Sequence, residues 1–105
     1  MIQLPNPHAK NIKTDNHEGQ HPKLLILDDK QWLYIQNRYN LTPRERQIIE
    51  LICHGLREKN VAMKLKISIG TVKTHIRNIS RKVRVKSKID MLLRFFIDIR
   101  ELSKY

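Results

Sequence analysis

The stretch Ser68–Arg84, SIGTVKTHIRNISRKVR, constrains this chain more than any other. At helical spacing it has two unlike faces. Val72, Ile76, Ile79 and Val83 stand at i, i+4, i+7 and i+11 and make an apolar stripe. Lys73, Arg77, Arg81 and Arg84 stand at i, i+4, i+8 and i+11 and make a basic one, flanked by the short polar side chains of Thr74 and Asn78. One face can bury in a small core while the other meets an anionic partner. A helix that lies in the major groove of DNA needs both properties.

The charge distribution points the same way. The 105-residue chain carries a formal charge of +11. Residues 1–56 hold 7 Lys/Arg against 6 Asp/Glu, residues 57–88 hold 11 against 1, and residues 89–105 hold 3 against 3. Nearly all the excess lies in the block that contains the two-faced helix. Such clustering indicates a polyanion, with nucleic acid first. An acidic membrane surface is the rival, but the apolar partners of these charges read as core residues and not as a lipid-facing side. The length allows one small domain plus a tail, and a core of that size is marginal enough to leave room for support from a dimer. Cys53 is the single cysteine, so no intrachain disulfide is possible; this fits a reducing compartment. Residues 1–22 lack a secretory pattern, and no apolar run approaches a membrane span. The chain reads as soluble and cytoplasmic, with no membrane partner.

Taken in order, residues 1–22 show no periodicity and read as a flexible arm. His8, His17 and His21 lie there without the spacing or cysteine partners of a metal site. Residues 23–40 read as a short extended piece and a helix. Leu24–Asp29 looks like the first strand and acid pair of a phospho-receiver domain, but the chain reaches its next motif at Leu41 and has no room for the rest of one. The plainer reading is a helix capped by Asp28 or Asp29, with Trp32, Ile35 and Tyr39 on its apolar edge.

A domain is expected over 41–105. In 41–56, Thr42 is an N-cap, Pro43 suits the first helical position, and Thr42 with Glu45 fits a capping box. Ile48, Ile49, Ile52 and Leu56 form its buried face, and Gly55 stops it. Cys53 reads as a small core residue. Its neighbour His54 points about 100° away on a helix, so the two make no catalytic pair. A second helix over 58–66 turns Val61, Ala62 and Leu65 inward, and Ser68 caps the third. Gly70, just inside that helix, could let the backbone approach a phosphate. After a basic linker, Val85–Ser87, the last helix covers about Lys88–Leu102. Its face Ile89, Leu92, Leu93, Phe96 and Ile97 is expected inward, with Asp90, Arg94, Asp98 and Glu101 in a polar sector. The second apolar strip, Met91, Phe95 and Leu102, is expected at a partner; the alternative is that it packs on the Trp32 helix.

Leu41-Thr42-x-Arg44-Glu45, Gly55-Leu56, Val61-Ala62, Leu65, Ile67-Ser68, Thr71-Val72-Lys73-x-His75, Ile79 and Lys82 together resemble the LuxR-type helix-turn-helix domain of LuxR/NarL/GerE-like bacterial regulators. The resemblance implies an all-α, four-helix domain whose third helix reads the major groove and whose fourth forms a symmetric dimer. Here a short N-terminal extension, the arm plus one helix, precedes it. Lys73, Thr74 and Arg77 match base-facing positions. Ser68 and Thr71 match positions near phosphate, and His75, Arg81 and Lys82 are added as expected backbone contacts, with groove edge and dimer contact both left open for His75. Met91, Leu92, Phe95 and Leu102 are the expected dimer residues. Glu45 matches a structural acid that pairs with a basic residue of the domain. Two positions depart from the pattern. Arg57 stands where Ser or Thr usually caps the second helix, and Asn60 replaces a common acid.

The expected function is a sequence-specific, homodimeric, double-stranded DNA-binding regulator of transcription, with RNA polymerase as a further partner. The alternative is a small interaction protein that heterodimerises with a larger LuxR-type regulator and modulates it. RNA is a weaker match, since every aromatic residue lies outside 57–88 and no stacking platform exists there. With no phosphate-cradling Gly loop, paired acids or metal-ligand cluster, neither an enzyme nor a metal, cofactor or small-molecule ligand is expected.

Overall fold

The computed structural model describes residues 25–104. The arm expected over 1–22, with His8, His17 and His21, lies outside the described residues. Five helices follow in order: α1 (Asp29–Tyr39), α2 (Pro43–Cys53), α3 (Glu58–Leu65), α4 (Ile69–Val83) and α5 (Lys88–Leu102). No strand occurs among the described residues. The fold is all-α, as expected.

The helix ends follow local chemistry. Asp28 caps α1 in a reciprocal box with Gln31: the Gln31 N–H donates to Asp28 Oδ1 at 2.8 Å, and the Asp28 N–H donates to Gln31 Oε1 at 2.9 Å. Thr42 and Glu45 make the same box at the start of α2, with Pro43 in its first turn. Gly55 takes φ 99° after α2, a conformation that favours glycine. Arg57 offers α3 no side-chain cap, as its identity implies. The turn out of α3 is made without glycine: Lys66 adopts the left-handed conformation, and the Ile67 N–H returns to the Ala62 carbonyl at 3.0 Å.

One core serves all five helices. It is built from Trp32 and Ile35 of α1, Leu41, Ile48, Ile49, Ile52 and Cys53, then Val61 and Ala62, then Val72, Ile79 and Val83, and finally Met91 and Phe95. α4 is the hub: it packs on α2, α3 and α5, α3 also packs on α2, and α1 packs on both α2 and α5. The Leu25 N–H donates to the Cys53 carbonyl at 3.1 Å and ties the extended piece to the end of α2.

The two strips of α5 are exchanged relative to the leading expectation, and the alternative holds: Met91 and Phe95 of the second strip pack on the Trp32 helix. Met91 and Phe95, expected at a dimer interface, are fully buried within the chain. Trp32 meets Phe95 edge to face, with ring centroids 5.8 Å apart and planes at 79°, and Tyr39 lies 6.1 Å from the same ring. Leu92 and Leu102 are half-buried. Ile89, Leu93, Phe96 and Ile97, expected inward, are exposed. Asp98, expected in the polar sector, is buried and accepts a hydrogen bond from the Tyr39 hydroxyl, while Arg38 Nε stands 3.4 Å from its other oxygen. Burial pushes the Tyr39 phenol up, and its bond to Asp98 adds to this. Trp32 and Tyr39 of α1 pack on the Phe95 ring and turn the strip of Met91 and Phe95 inward, while the aromatic residue of the other strip, Phe96, stays exposed.

Candidate nucleic-acid interface

α4 is held by its apolar stripe. Val72, Ile79 and Val83 are buried and Ile76 is half-buried. Ser68 caps the helix by accepting the Thr71 N–H at 3.0 Å, and the two hydroxyl oxygens lie 2.8 Å apart. A methyl group on Gly70 would meet Ser68 Oγ at 3.8 Å, an ordinary contact, so nothing inside the chain requires glycine there.

The opposite side of α4 carries the base-facing candidates. Lys73, Thr74 and Arg77 are exposed, as are Ser68, Thr71 and Arg81. The Arg81 guanidinium donates to Asn78 Oδ1 at 3.1 Å. Arg77 has no hydrogen-bond or ion-pair partner among the described residues, so its donors are available to a ligand. Lys73 Nζ stands 3.3 Å from Glu58 Oε1, an ion pair that joins the two helices of the helix-turn-helix unit.

Lys82 and His75 take other positions. Lys82, expected at the DNA backbone, is engaged internally: its ammonium donates to Glu45 Oε1 at 2.7 Å and to the Asn40 carbonyl at 3.0 Å. It is the basic partner the resemblance implies for Glu45, and it pins the C-terminal half of α4 to the start of α2. His75, also expected at the backbone, is half-buried, with Nδ1 enclosed and without a partner among the described residues. It lies close enough to help hold the Glu45 carboxyl down. Burial alone would raise Glu45; the Lys82 ammonium and the Thr42 N–H outweigh it, and the net shift is downward. Burial pushes the Cys53 thiol up to about 12, with the Glu50 carboxylate adding to it, so Cys53 is an inert core residue.

Three partners escaped the sequence reading: Lys82 for Glu45, Asp98 for Tyr39, and Glu58 for Lys73. The resemblance implied a basic partner for Glu45 without saying which, and the last pair had a signal in composition. Glu58 is the single acid among 11 basic residues in 57–88. Among the described residues no group of three or more His, Cys, Asp or Glu could hold a metal, and no helix is long and apolar enough to cross a membrane.

A short helix, a tight turn and a longer helix with one buried and one basic face define a helix-turn-helix module. The chain belongs to the luxR family of bacterial regulatory proteins, also called GerE, whose pattern matches residues 39–95, more than half of it. Those residues are a LuxR-type DNA-binding regulator domain. The chain is 44% identical over 50 residues to the nitrate/nitrite response regulator protein NarL of Escherichia coli K12, covering 48% of this chain and 23% of that protein. It is 44% identical over 57 residues to a nitrate/nitrite response regulator homologue of Haemophilus influenzae, covering 54% and 27%. Against the transcriptional regulatory protein DesR of Bacillus subtilis it is 39% identical over 54 residues, covering 51% and 27%. The chain spans about a quarter of the length of the curated relatives it matches. No solved structure matches it.

Proposed function

We propose that this chain regulates transcription by binding double-stranded DNA in a sequence-specific manner as a homodimer, with α4 in the major groove. The observation that carries the reading is the division of α4. Its apolar stripe is buried against α2 and α3, and Lys73, Thr74 and Arg77 lie together on the exposed side of the most basic block of the chain. Arg77 and Lys73 can donate to guanine N7 and O6, and the Thr74 methyl can touch a thymine methyl. Ser68, Thr71 and Arg81 are exposed and can meet phosphates, which set register without reading sequence.

Selection from random duplex DNA with the purified chain tests this directly. A symmetric site with half-sites about 34 Å apart is expected. Arg77→Ala should cost about 1–3 kcal/mol at the selected site and relax preference at one base position. Uniform weakening across all sequences would remove Arg77 from base reading.

The dimer reading moves to the exposed strip of α5. Ile89, Leu93 and Phe96, with Leu25 and Leu92, line a shallow apolar hollow, and Ile97 adjoins it. An apolar strip of this kind on one helix suits a second copy of the same strip across a two-fold axis. Leu93→Asp is expected to convert a dimer into a folded monomer, read as sedimentation mass with unchanged helical circular dichroism. Leu93 is 53% exposed, so the substitution spares the core. A wild-type chain that sediments as a monomer at every concentration defeats the dimer.

A further inference from the structure

We infer that Glu58 is a specificity-determining residue: it holds the Lys73 ammonium back from phosphate, so that only the correct base edge releases it. The inference rests on the DNA reading above. Glu58 stands at the start of α3, with a side chain 28% exposed, and Lys73 reaches across to it from α4 with a side chain 58% exposed. The ion pair at 3.3 Å therefore sits at the rim of the basic face and is open to exchange. It is also the one place in residues 57–88 where negative charge is present.

Two consequences follow from elementary electrostatics. A lysine without a carboxylate partner can pair with any phosphate, and every duplex offers those equally, so it strengthens binding without adding discrimination. A lysine that must leave a carboxylate gains only where something better replaces it. Guanine offers two acceptors, N7 and O6, within reach of one ammonium, whereas adenine sets a donor, N6, beside its N7. After Lys73 departs, Glu58 remains in the first turn of α3. The positive end of the helix dipole favours a carboxylate there, and Glu58 is the only acid in that turn.

The test compares affinity for a selected site with affinity for a random duplex of equal length at fixed salt, in wild type, Glu58→Gln, Lys73→Met and the double variant. Glu58→Gln is expected to tighten random-duplex binding about three- to tenfold while changing selected-site affinity less, so the specificity ratio falls. In the Lys73→Met background the same substitution should leave the ratio unchanged. Should the Gln variant melt below the assay temperature, Glu58→Asp serves instead, because it keeps the charge and withdraws it from Lys73 by one methylene. A wild-type ratio unaffected by substitution at Glu58 overturns the inference. So does an equal effect with and without Lys73, which would make Glu58 a plain repulsive charge. A wild-type chain that binds no duplex at low salt overturns the DNA reading itself and is distinct from both.

Discussion

Trp32→Ala is expected to destabilise the fold by about 3–5 kcal/mol, the range for removing a fully buried large aromatic. Trp32 has no exposed surface, and it faces Phe95 edge to face, so truncation opens a cavity at the contact between α1 and α5. Small domains have about 5–15 kcal/mol in total, and the loss takes a large share of that. Urea unfolding followed by circular dichroism should show a much lower midpoint. Leu33→Ala, one residue along on the same helix and 51% exposed, should move it little. If the two variants unfold alike, α1 is an appendage and not part of the core. The prediction bears on function, because all of α1 but Tyr39 lies before the family-matched residues 39–95, and yet α1 covers the inner side of α5. A fragment that begins at Leu41 would leave Met91 and Phe95 exposed, and the exposed strip proposed for the dimer would lose its support.

The second large effect is expected at Glu45 and Lys82. Glu45 is 5% exposed, and its Oε1 accepts from both the Thr42 N–H and Lys82 Nζ. Removing one member of a buried pair costs about 3–5 kcal/mol. The Lys82 side chain is 32% exposed, so solvent screens part of the pair, and Lys82→Met should cost about 1–3 kcal/mol. The pH dependence has a definite sign. The folded chain holds Glu45 below its ordinary value of 4.5. The unfolded chain therefore takes up the proton first, and the stabilisation is complete above 4.5 and declines as the pH falls below it. In Lys82→Met the opposing effect of burial is left with less to counter it, and the loss of stability between pH 5 and pH 3, about the carboxylate range, should shrink. Urea titrations across that range compare the slopes. Equal slopes in the two proteins would mean that the 2.7 Å contact contributes nothing to folding.

Helix α4 was legible because its information is local. The bounds of α4 and α5, the capping box of Thr42 and Glu45, the stop at Gly55 and the missing cap at Arg57 depend on residues within a turn or two of each other. The same holds for the inward set Val72, Ile79 and Val83. α5 was harder. It carries apolar residues on two strips, and periodicity reports that both exist without saying which one turns inward. Lys82 illustrates the same limit for charge. On the helix it continues a run of exposed cations, and only the approach of Asn40 and Glu45 from distant sequence makes it internal.

Composition, capping residues and the spacing of apolar and basic side chains were sufficient by themselves to place each helix and to mark α4 as the two-faced one, since those preferences act over a few residues along the backbone. Which strip of α5 is covered, which cations are bound within the chain and which acid stands against Lys73 were decided by the tertiary arrangement. Each depends on one helix meeting another across many residues of sequence, and contacts of that kind are set by the competition of whole faces for one small core.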